Sequence, residues 1–244
     1  MKLPYIIDVT KMLDIEKIEE YNQIFSSIYA TWEPFVTREN FDEYLMDMEN
    51  LKKGIGDNGL KENFYWLMDD DKIVGSGSIR LNPEVNEIYE QYSGHIFYQI
   101  VPIYRKQGYG TLICHLLLEK MAELEYEEAI ITCYDDNIGS ISIIEGNGGE
   151  LIETIKGDGT PNSDHLKTRR YKIDIQKSLK NYKNTGEIKI GRQIQTRFNH
   201  GKRYKTAYEI RCTLPSFKPF ASALFGCRYD NCRSFQGRNR NHGR

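Results

Sequence analysis

The segment Gly94–Thr111, G-H-I-F-Y-Q-I-V-P-I-Y-R-K-Q-G-Y-G-T, decides the fold of this chain. Its first half, His95–Val101, has the length of a β-strand and a strand-like content of isoleucine, phenylalanine, tyrosine and valine. Pro102 cannot donate a ladder hydrogen bond, so it ends the strand. The apolar side chains that follow are spaced along one helical face: Leu112, Ile113, Leu116, Leu117, Met121 and Leu124. We therefore predict a strand, a glycine-rich turn and a helix.

The turn Arg105–Gly110 has the composition of an anion-binding loop. Gly108 and Gly110 lack a Cβ atom, so a ligand can approach their backbone closely. Several backbone N–H groups point to one spot at the start of the helix, where the helix dipole adds partial positive charge. Arg105 and Lys106 add two full charges. These features predict a cradle for a pyrophosphate group, and the alternative is a plain strand-to-helix connection.

A second motif lies downstream of this turn. Ala129–Tyr134 has the composition of the next strand, and the string C-x-x-D-N-x-x-S, which begins at Cys133, is followed by N-G-G at Asn147. Together with G-H-I-x-Y and R-K-Q-G-Y-G, these strings resemble the GNAT superfamily of N-acetyltransferases, and in particular a bacterial branch of small predicted acetyltransferases. The resemblance covers roughly residues 4–176 and is most specific between Gly94 and Leu151.

The resemblance implies an α/β fold, with a mixed central sheet of about seven strands and helices on both faces. It also implies acetyl-CoA as the co-substrate, without a metal. Backbone N–H groups in Lys106–Thr111 would hold the CoA pyrophosphate, and the strand end Tyr98–Ile100 would pair with the pantetheine like an added strand. Asn137 and Ser140 match positions that usually touch the CoA arm. The cofactor-binding residues implied are Tyr98, Gln99, Ile100, Arg105, Lys106, Gln107, Gly108, Tyr109, Gly110, Thr111, Asn137 and Ser140.

The catalytic residues are less clearly marked. An amine acceptor must lose a proton at a cost of about 4 kcal/mol, and the thiolate leaving group gains from a proton donor. Many family members carry a tyrosine donor seven residues after the asparagine, but Ile144 occupies that position here. Tyr134, at a strand end beside the cleft, is the candidate acid. His95 is the candidate base, although a lone histidine on an apolar strand is more often structural. Cys114 and Cys133 lie in apolar segments, so we do not expect a cysteine acyl-enzyme.

The remaining elements follow from periodicity: helices over Ile15–Tyr29 and from Thr37 onward, a hairpin of Phe64–Met68 with Ile73–Ile79, and a final strand over His165–Ile175. In acetyltransferases of this kind, the first two helices border the acceptor pocket. Trp32–Phe35 is thus a candidate lip of that pocket, and aromatic packing under a loop is the alternative. Gly75 and Gly77 indicate a bulge, a close ligand approach or a weakened strand.

Charge divides the chain into two parts. Residues 177–244 carry 16 basic and 3 acidic residues, whereas residues 1–176 carry 17 basic and 32 acidic ones. We predict an acetyltransferase domain over residues 1–176 and a basic, aromatic-containing tail of low order over residues 177–244. Cations interleaved with aromatic rings are typical of nucleic-acid-binding segments. A poorly ordered extension, or a segment appended by an altered reading frame, fits the tail as well.

The bulk properties predict a cytoplasmic enzyme. There is no run of about 18 apolar residues to span a membrane, and five scattered cysteines do not form a secreted disulfide framework. We expect an N-acetyltransferase that acts on a small-molecule or peptide amine, as a monomer or a homodimer. The acidic balance favours a cationic acceptor. Two other classes compete: a non-catalytic acyl-CoA-binding module, suggested by Ile144, and a nucleic-acid-associated protein acting through the tail.

Overall fold

The computed structural model describes residues 3–12, 14–28, 36–56, 59–159, 163 and 166–185. Its helices are α1 (Ile15–Ile28), α2 (Phe41–Lys53), α3 (Tyr109–Glu123), α4 (Ile138–Gly146) and α5 (Ile175–Thr185). Its strands are β1 (Tyr5–Asp8), β2 (Glu62–Asp69), β3 (Lys72–Arg80), β4 (Ile96–Ile100), β5 (Glu128–Tyr134), β6 (Glu150–Lys156) and β7 (Lys167–Asp174). The predicted strand, turn and helix of the central segment are confirmed by β4 and α3.

The seven strands form two antiparallel sheets. One has the order β1-β2-β3-β4 and the other the order β5-β7-β6. Among the described residues, an isolated bridge between Gly94 and Ile131 joins them, and the His95 N–H donates to the Ile130 carbonyl at 2.7 Å. The predicted α/β fold of about seven strands is confirmed. Beyond the bridge the strands part, so the predicted single sheet is divided at the boundary between β4 and β5.

Strand β2 is buried on both of its faces, which places helices on both sides of the first sheet. Its side chains alternate between two hydrophobic clusters. Tyr65 and Leu67 pack in the cluster that contains α3, whereas Phe64, Trp66 and Met68 pack in the cluster that contains α1 and α2. This period-2 alternation explains why nearly every β2 residue is apolar. The helices expected on both faces are confirmed.

Two glycines of β3 let α3 and β4 approach that strand closely. A Cβ atom on Gly77 would stand 2.8 Å from the Phe97 carbonyl oxygen and 2.9 Å from Cδ1 of Leu117. On Gly75 it would stand 2.6 Å from the Gln99 carbonyl oxygen. Close approach of the protein's own backbone and side chains therefore accounts for both glycines. The hairpin also has a register shift beside Gly75: Leu67 pairs with Gly75 and Met68 with Ile73, so Val74 is the extra residue on β3.

Helix α5 crosses the predicted domain boundary. It runs from Ile175 to Thr185, so the first nine residues of the predicted low-order tail are helical. The hydroxyl of Ser178 donates to the Asn147 carbonyl at 2.7 Å, and Leu179 packs against the α3 core. Residues 186–244 and the candidate lip Trp32–Phe35 lie outside the described residues, and the division into two domains stays a prediction.

Substituting Gly77→Ala tests the close packing of α3 on β3. Because the new Cβ meets a backbone oxygen and the buried Leu117, we expect a loss of about 1–3 kcal/mol in the free energy of unfolding. Urea titration of the full chain measures the change. Gly146→Ala is the matched control, since a Cβ there would meet nothing within 4 Å and alanine favours a helix. Equal stability of Gly77→Ala and the wild type would contradict this packing.

Candidate functional site

The edge of β4 that faces away from β3 is open. On the β3 side, the Arg80 N–H donates to the His95 carbonyl at 2.7 Å and the Val101 N–H donates to the Val74 carbonyl at 3.0 Å. Because backbone groups alternate in direction along a strand, those of Ile96, Tyr98 and Ile100 point to the other edge. The two sheets part on that side. An extended ligand could add there as a further strand.

The glycine turn forms a concave loop of backbone N–H groups. Lys106 has φ 59° and Gly108 has φ 90°, so two left-handed residues alternate with right-handed or extended ones. Successive N–H groups in such a conformation converge on a common point and bind anions. Helix α3 starts at Tyr109, and its first N–H groups lack intrahelical acceptors. The left-handed backbone of Lys106 was not predicted from its residue type, which rarely adopts it.

Side chains of the turn hold it in place through hydrogen bonds. Nε of Arg105 donates to the Ile100 carbonyl at 3.1 Å, and Nε2 of Gln107 donates to the Ile103 carbonyl at 3.0 Å. The buried Tyr109 donates its hydroxyl hydrogen to Asp69 in the β2–β3 turn. Gln107 and Tyr109 therefore fix the loop through their side chains and can offer a ligand their backbone. The guanidinium of Arg105 remains exposed at the surface of the turn.

Helix α4 packs against the start of α3, which follows this loop. The Asn137 side chain accepts the Ser140 N–H at 3.1 Å and so caps the helix. At its other end, Nδ2 of Asn147 donates to the Thr111 carbonyl of α3 at 3.3 Å. A Cβ on Gly110 would stand 2.5 Å from Cδ1 of Ile143, so the two helices pack closely. The structure thus brings the predicted binding residues of β4, of the turn and of α4 together.

The two predicted catalytic residues lie apart, at opposite ends of their strands. His95 is at the start of β4, where its Nδ1 accepts the Ile130 N–H at 3.1 Å. Burial lowers the pKa of this imidazole. A neutral ring that accepts at Nδ1 carries its hydrogen on Nε2, so neither nitrogen keeps a free lone pair. His95 therefore ties the two sheets together, and the hydrogen bond occupies the lone pair that a base would use.

Tyr134 ends β5 on the face opposite Cys133. Its hydroxyl donates to Oδ2 of Asp158 at 2.7 Å. Burial, and then the adjacent Asp158, raise the pKa of this phenol. Asp158 is only 4% exposed, and its own N–H donates to Oγ of Ser163. Asp158 was missed in the sequence because it lies in a loop of glycine, asparagine and aspartate, where an aspartate is an ordinary turn residue.

The position that carries a tyrosine in many relatives has no donor here. Ile144 is fully buried, and the neighbouring Glu145 accepts a hydrogen bond from Tyr171 at 3.2 Å. Burial raises the pKa of Cys114 to about 12 and that of Cys133 to about 11. Both thiols are thus poor nucleophiles at neutral pH.

A buried polar cluster on β2 and β3 was also missed. Oγ of Ser78 donates to the Glu62 carboxylate at 2.5 Å, and the Arg80 guanidinium lies 3.3 Å from the same oxygen. The guanidinium also stacks over the Tyr89 ring, 5.4 Å from its centroid. These contacts balance the charge of Glu62 internally. Alternation along β2 puts Glu62 on the face of α1 and α2, but sequence alone gives no cross-strand partner.

The sequence-family model described as an acetyltransferase (GNAT) domain matches residues 11–150 of this chain. The chain belongs to the GNAT acetyltransferase family. The family assignment made from the sequence motifs is therefore confirmed. No curated protein matches the chain. Solved structures that resemble it are N-acetyltransferases of low sequence identity, and they support the fold.

Three of these structures illustrate the likeness. A ribosomal-protein-S5-alanine acetyltransferase from Vibrio fischeri has a TM-score of 0.52 at 16% identity, over 71% of this chain and 94% of its own. The acetyltransferase of Salmonella typhimurium that modifies the N-terminal serine of ribosomal protein L7/L12 has a TM-score of 0.50 at 15% identity. The match covers 70% of this chain and 95% of that protein. The spermidine N-acetyltransferase of Vibrio cholerae, in complex with CoA and spermine, has a TM-score of 0.50 at 15% identity. The match covers 72% of this chain and 98% of that protein.

In the part of the chain that the structure describes, no helix combines the length and the apolar character that crossing a membrane requires. Among the same residues, no group of three or more histidine, cysteine, aspartate or glutamate side chains is placed to hold a metal ion.

Titration of His95 checks its structural role. Because burial lowers its pKa in the folded state, the unfolded chain binds more protons below the ordinary value of about 6.5. The stability that the buried neutral ring contributes is therefore lost as the pH falls below 6.5, toward the pKa of the folded state. We expect an NMR titration to give a pKa under 6.5 for the ring of His95. The His95 signal is assigned by its loss in His95→Asn, a variant whose amide oxygen can accept the Ile130 N–H in place of Nδ1. A pKa at or above 6.5 would contradict the buried, hydrogen-bonded ring.

Proposed function

We propose that this protein is an N-acetyltransferase that moves the acetyl group of acetyl-CoA directly to an amine. The observation that carries the proposal is the convergence of three elements: the open edge of β4, the concave turn at Lys106–Gly108 and the start of α4. Each offers backbone or polar groups toward the gap between the two sheets. An extended ligand with an anionic end fits this combination.

The residues present fit CoA. Backbone N–H groups of Lys106–Thr111 would hold its pyrophosphate, with Arg105 adding charge. Backbone groups of Tyr98 and the N–H of Ile100, whose carbonyl already accepts from Arg105, would pair with its pantetheine arm. Asn137 and Ser140 would contact that arm from α4. Gln99 and Gln107 support these segments. When bound, acetyl-CoA supplies an activated thioester carbonyl to the gap.

The two described cysteines support transfer without an acyl-enzyme. Both described thiols are buried, with raised pKa values, so neither supplies a thiolate nucleophile. The amine nitrogen then bonds directly to the acetyl carbon while the carbon–sulfur bond breaks and its electron pair stays on sulfur. The amine loses one proton to the surroundings, and the thiolate later gains one.

On the acceptor face we assign the proton-carrying role to Tyr134 together with Asp158. Tyr134 can accept a hydrogen bond from the amine while it donates its own hydrogen to the carboxylate. The carboxylate also favours a cationic acceptor near this strand end. Deprotonating a lysine-like amine at pH 7 costs about 4–5 kcal/mol, so a paired acceptor for the proton is useful. We give His95 a structural role, since its Nδ1 is occupied.

The acceptor is proposed to be a cationic amine. Residues 1–176 carry 32 acidic against 17 basic residues. Proteins of the same fold are described as acting on spermidine, on the N-terminal serine of ribosomal protein L7/L12 or on an alanine of ribosomal protein S5. A screen of polyamines, amino acids and N-terminal peptides, with detection of released CoA thiol, tests this proposal. Turnover on a polyamine or peptide amine supports it, and binding of CoA without turnover on any amine supports the non-catalytic module instead.

Substituting Gly108→Ala tests the pyrophosphate cradle. An alanine at φ 90° is strained by about 1–2 kcal/mol, and its methyl group would stand where the backbone approaches the anion. We expect the Kd for acetyl-CoA to rise by about tenfold or more in isothermal titration calorimetry. Gly59→Ala is the matched control, because it has φ 86° with open space around the new Cβ. Equal weakening by both variants would contradict a specific role for Gly108.

A further inference from the structure

The hydroxyl of Tyr98 is a buried polar group without a hydrogen-bond partner of ordinary geometry among the described residues. Buried hydroxyls in folded proteins nearly always have a partner, so an exception requires an explanation. The ring itself is partly buried and packs against the α3 core. Tyr98 also stands on the strand edge that the proposed function assigns to pantetheine.

Groups on three other elements act on the pKa of this hydroxyl. Ser140 at the start of α4 is within hydrogen-bond reach, and the thiols of Cys114 in α3 and Cys133 in β5 act on it electrostatically. The side chain therefore extends from β4 toward β5 on the helical side of the gap. This is the side opposite Tyr134, whose hydroxyl is already engaged with Asp158. Ser140 lowers the pKa of Tyr98, as a donor to its oxygen does, so the hydroxyl hydrogen of Tyr98 has no acceptor among the described residues.

We propose that the Tyr98 hydroxyl donates a hydrogen bond to the sulfur of bound CoA and stabilises the negative charge that develops there. This inference rests on the proposed function. It supplies from β4 the donor that α4 lacks at Ile144.

The hydroxyl keeps its proton in this role. Burial, and then the nearby Cys114, raise the pKa of Tyr98 well above the ordinary value, while Ser140 opposes the shift. An alkyl thiol has a pKa of about 8.5 and an ordinary phenol about 10, so the proton stays on the phenol by about thirtyfold or more. Tyr98 therefore acts as a fixed dipole beside the sulfur. The carbon–sulfur electron pair remains on sulfur, which then takes a proton from water.

The test measures the pKa of the CoA thiol when bound to the full chain. Thiolate absorbance is recorded against pH for the CoA complex, and the desulfo-CoA complex is subtracted so that the protein's own thiols and phenols cancel. A hydrogen bond to the thiolate favours the charged form. We expect the bound thiol to titrate about one pH unit or more below free CoA, and we expect Tyr98→Phe to abolish that shift.

Tyr44→Phe is the matched control, because it removes another buried phenol in the core of α1 and α2. It should leave the thiol pKa unchanged. In turnover, Tyr98→Phe should lower kcat by about 10- to 100-fold, with KM for acetyl-CoA within about threefold.

Two failures are distinguishable. If CoA does not bind the wild type, the proposed function and this inference both fall. If CoA binds but its thiol pKa equals that of free CoA, or is the same in the wild type and Tyr98→Phe, only this inference falls. The comparison of the wild type with free CoA decides the matter even if Tyr98→Phe does not fold.

Discussion

The structure depends on the parting of β4 from β5. The strands share one bridge, between Gly94 and Ile131, and beyond it the backbone groups of β4 that face β5 have no ladder there. Unpaired strand edges in the interior are unfavourable unless something else satisfies them. We therefore propose that the gap receives an extended ligand. The glycine turn, α3 and α4 are all arranged around it.

Two separate cores keep the gap in position. One packs α3 against the first sheet and continues into β5 and β7, and the other packs α1 and α2 against the opposite face of β2. The glycines at positions 75 and 77 let β4 and α3 pack closely on β3, so β4 cannot move toward β5 without loss of packing. His95 pins the strands at the closed end of the gap through Ile130. Rigid packing of this kind pre-organises a binding site.

Much of the fold could be predicted from the sequence, because local signals determined it. The apolar run before Pro102 and the helical spacing after Gly110 were sufficient for β4 and α3. Helix α5 carried a signal too, since Ile175 and Leu179 are four residues apart, but the basic composition of the tail obscured it. The sequence indicates strands that splay near Val101 and Cys133, but the complete separation into two sheets could not be predicted, because the loss of a ladder depends on tertiary packing.

The site was predictable only in part, for a physical reason. The residues of the glycine turn are neighbours in the sequence, so the sequence could identify them. Side chains that contact each other from separate elements could not be identified in this way. The contact of Tyr134 with Asp158, the Glu62–Arg80 pair and the approach of Tyr98 to Ser140 each join residues from separate elements. One sequence gives no sign of such pairs. The identity of His95 as a link between sheets likewise came from the Ile130 N–H, which no side-chain pattern reveals.

Hydrogen–deuterium exchange with saturating acetyl-CoA tests the central claim most directly, because it reports on the backbone groups themselves. The account predicts slower exchange in peptides that cover residues 96–101 and 105–113, with little change in the β6–β7 hairpin, which is not part of the gap. Binding of acetyl-CoA that leaves both of these segments unprotected would contradict the placement of the ligand along β4 and the glycine turn.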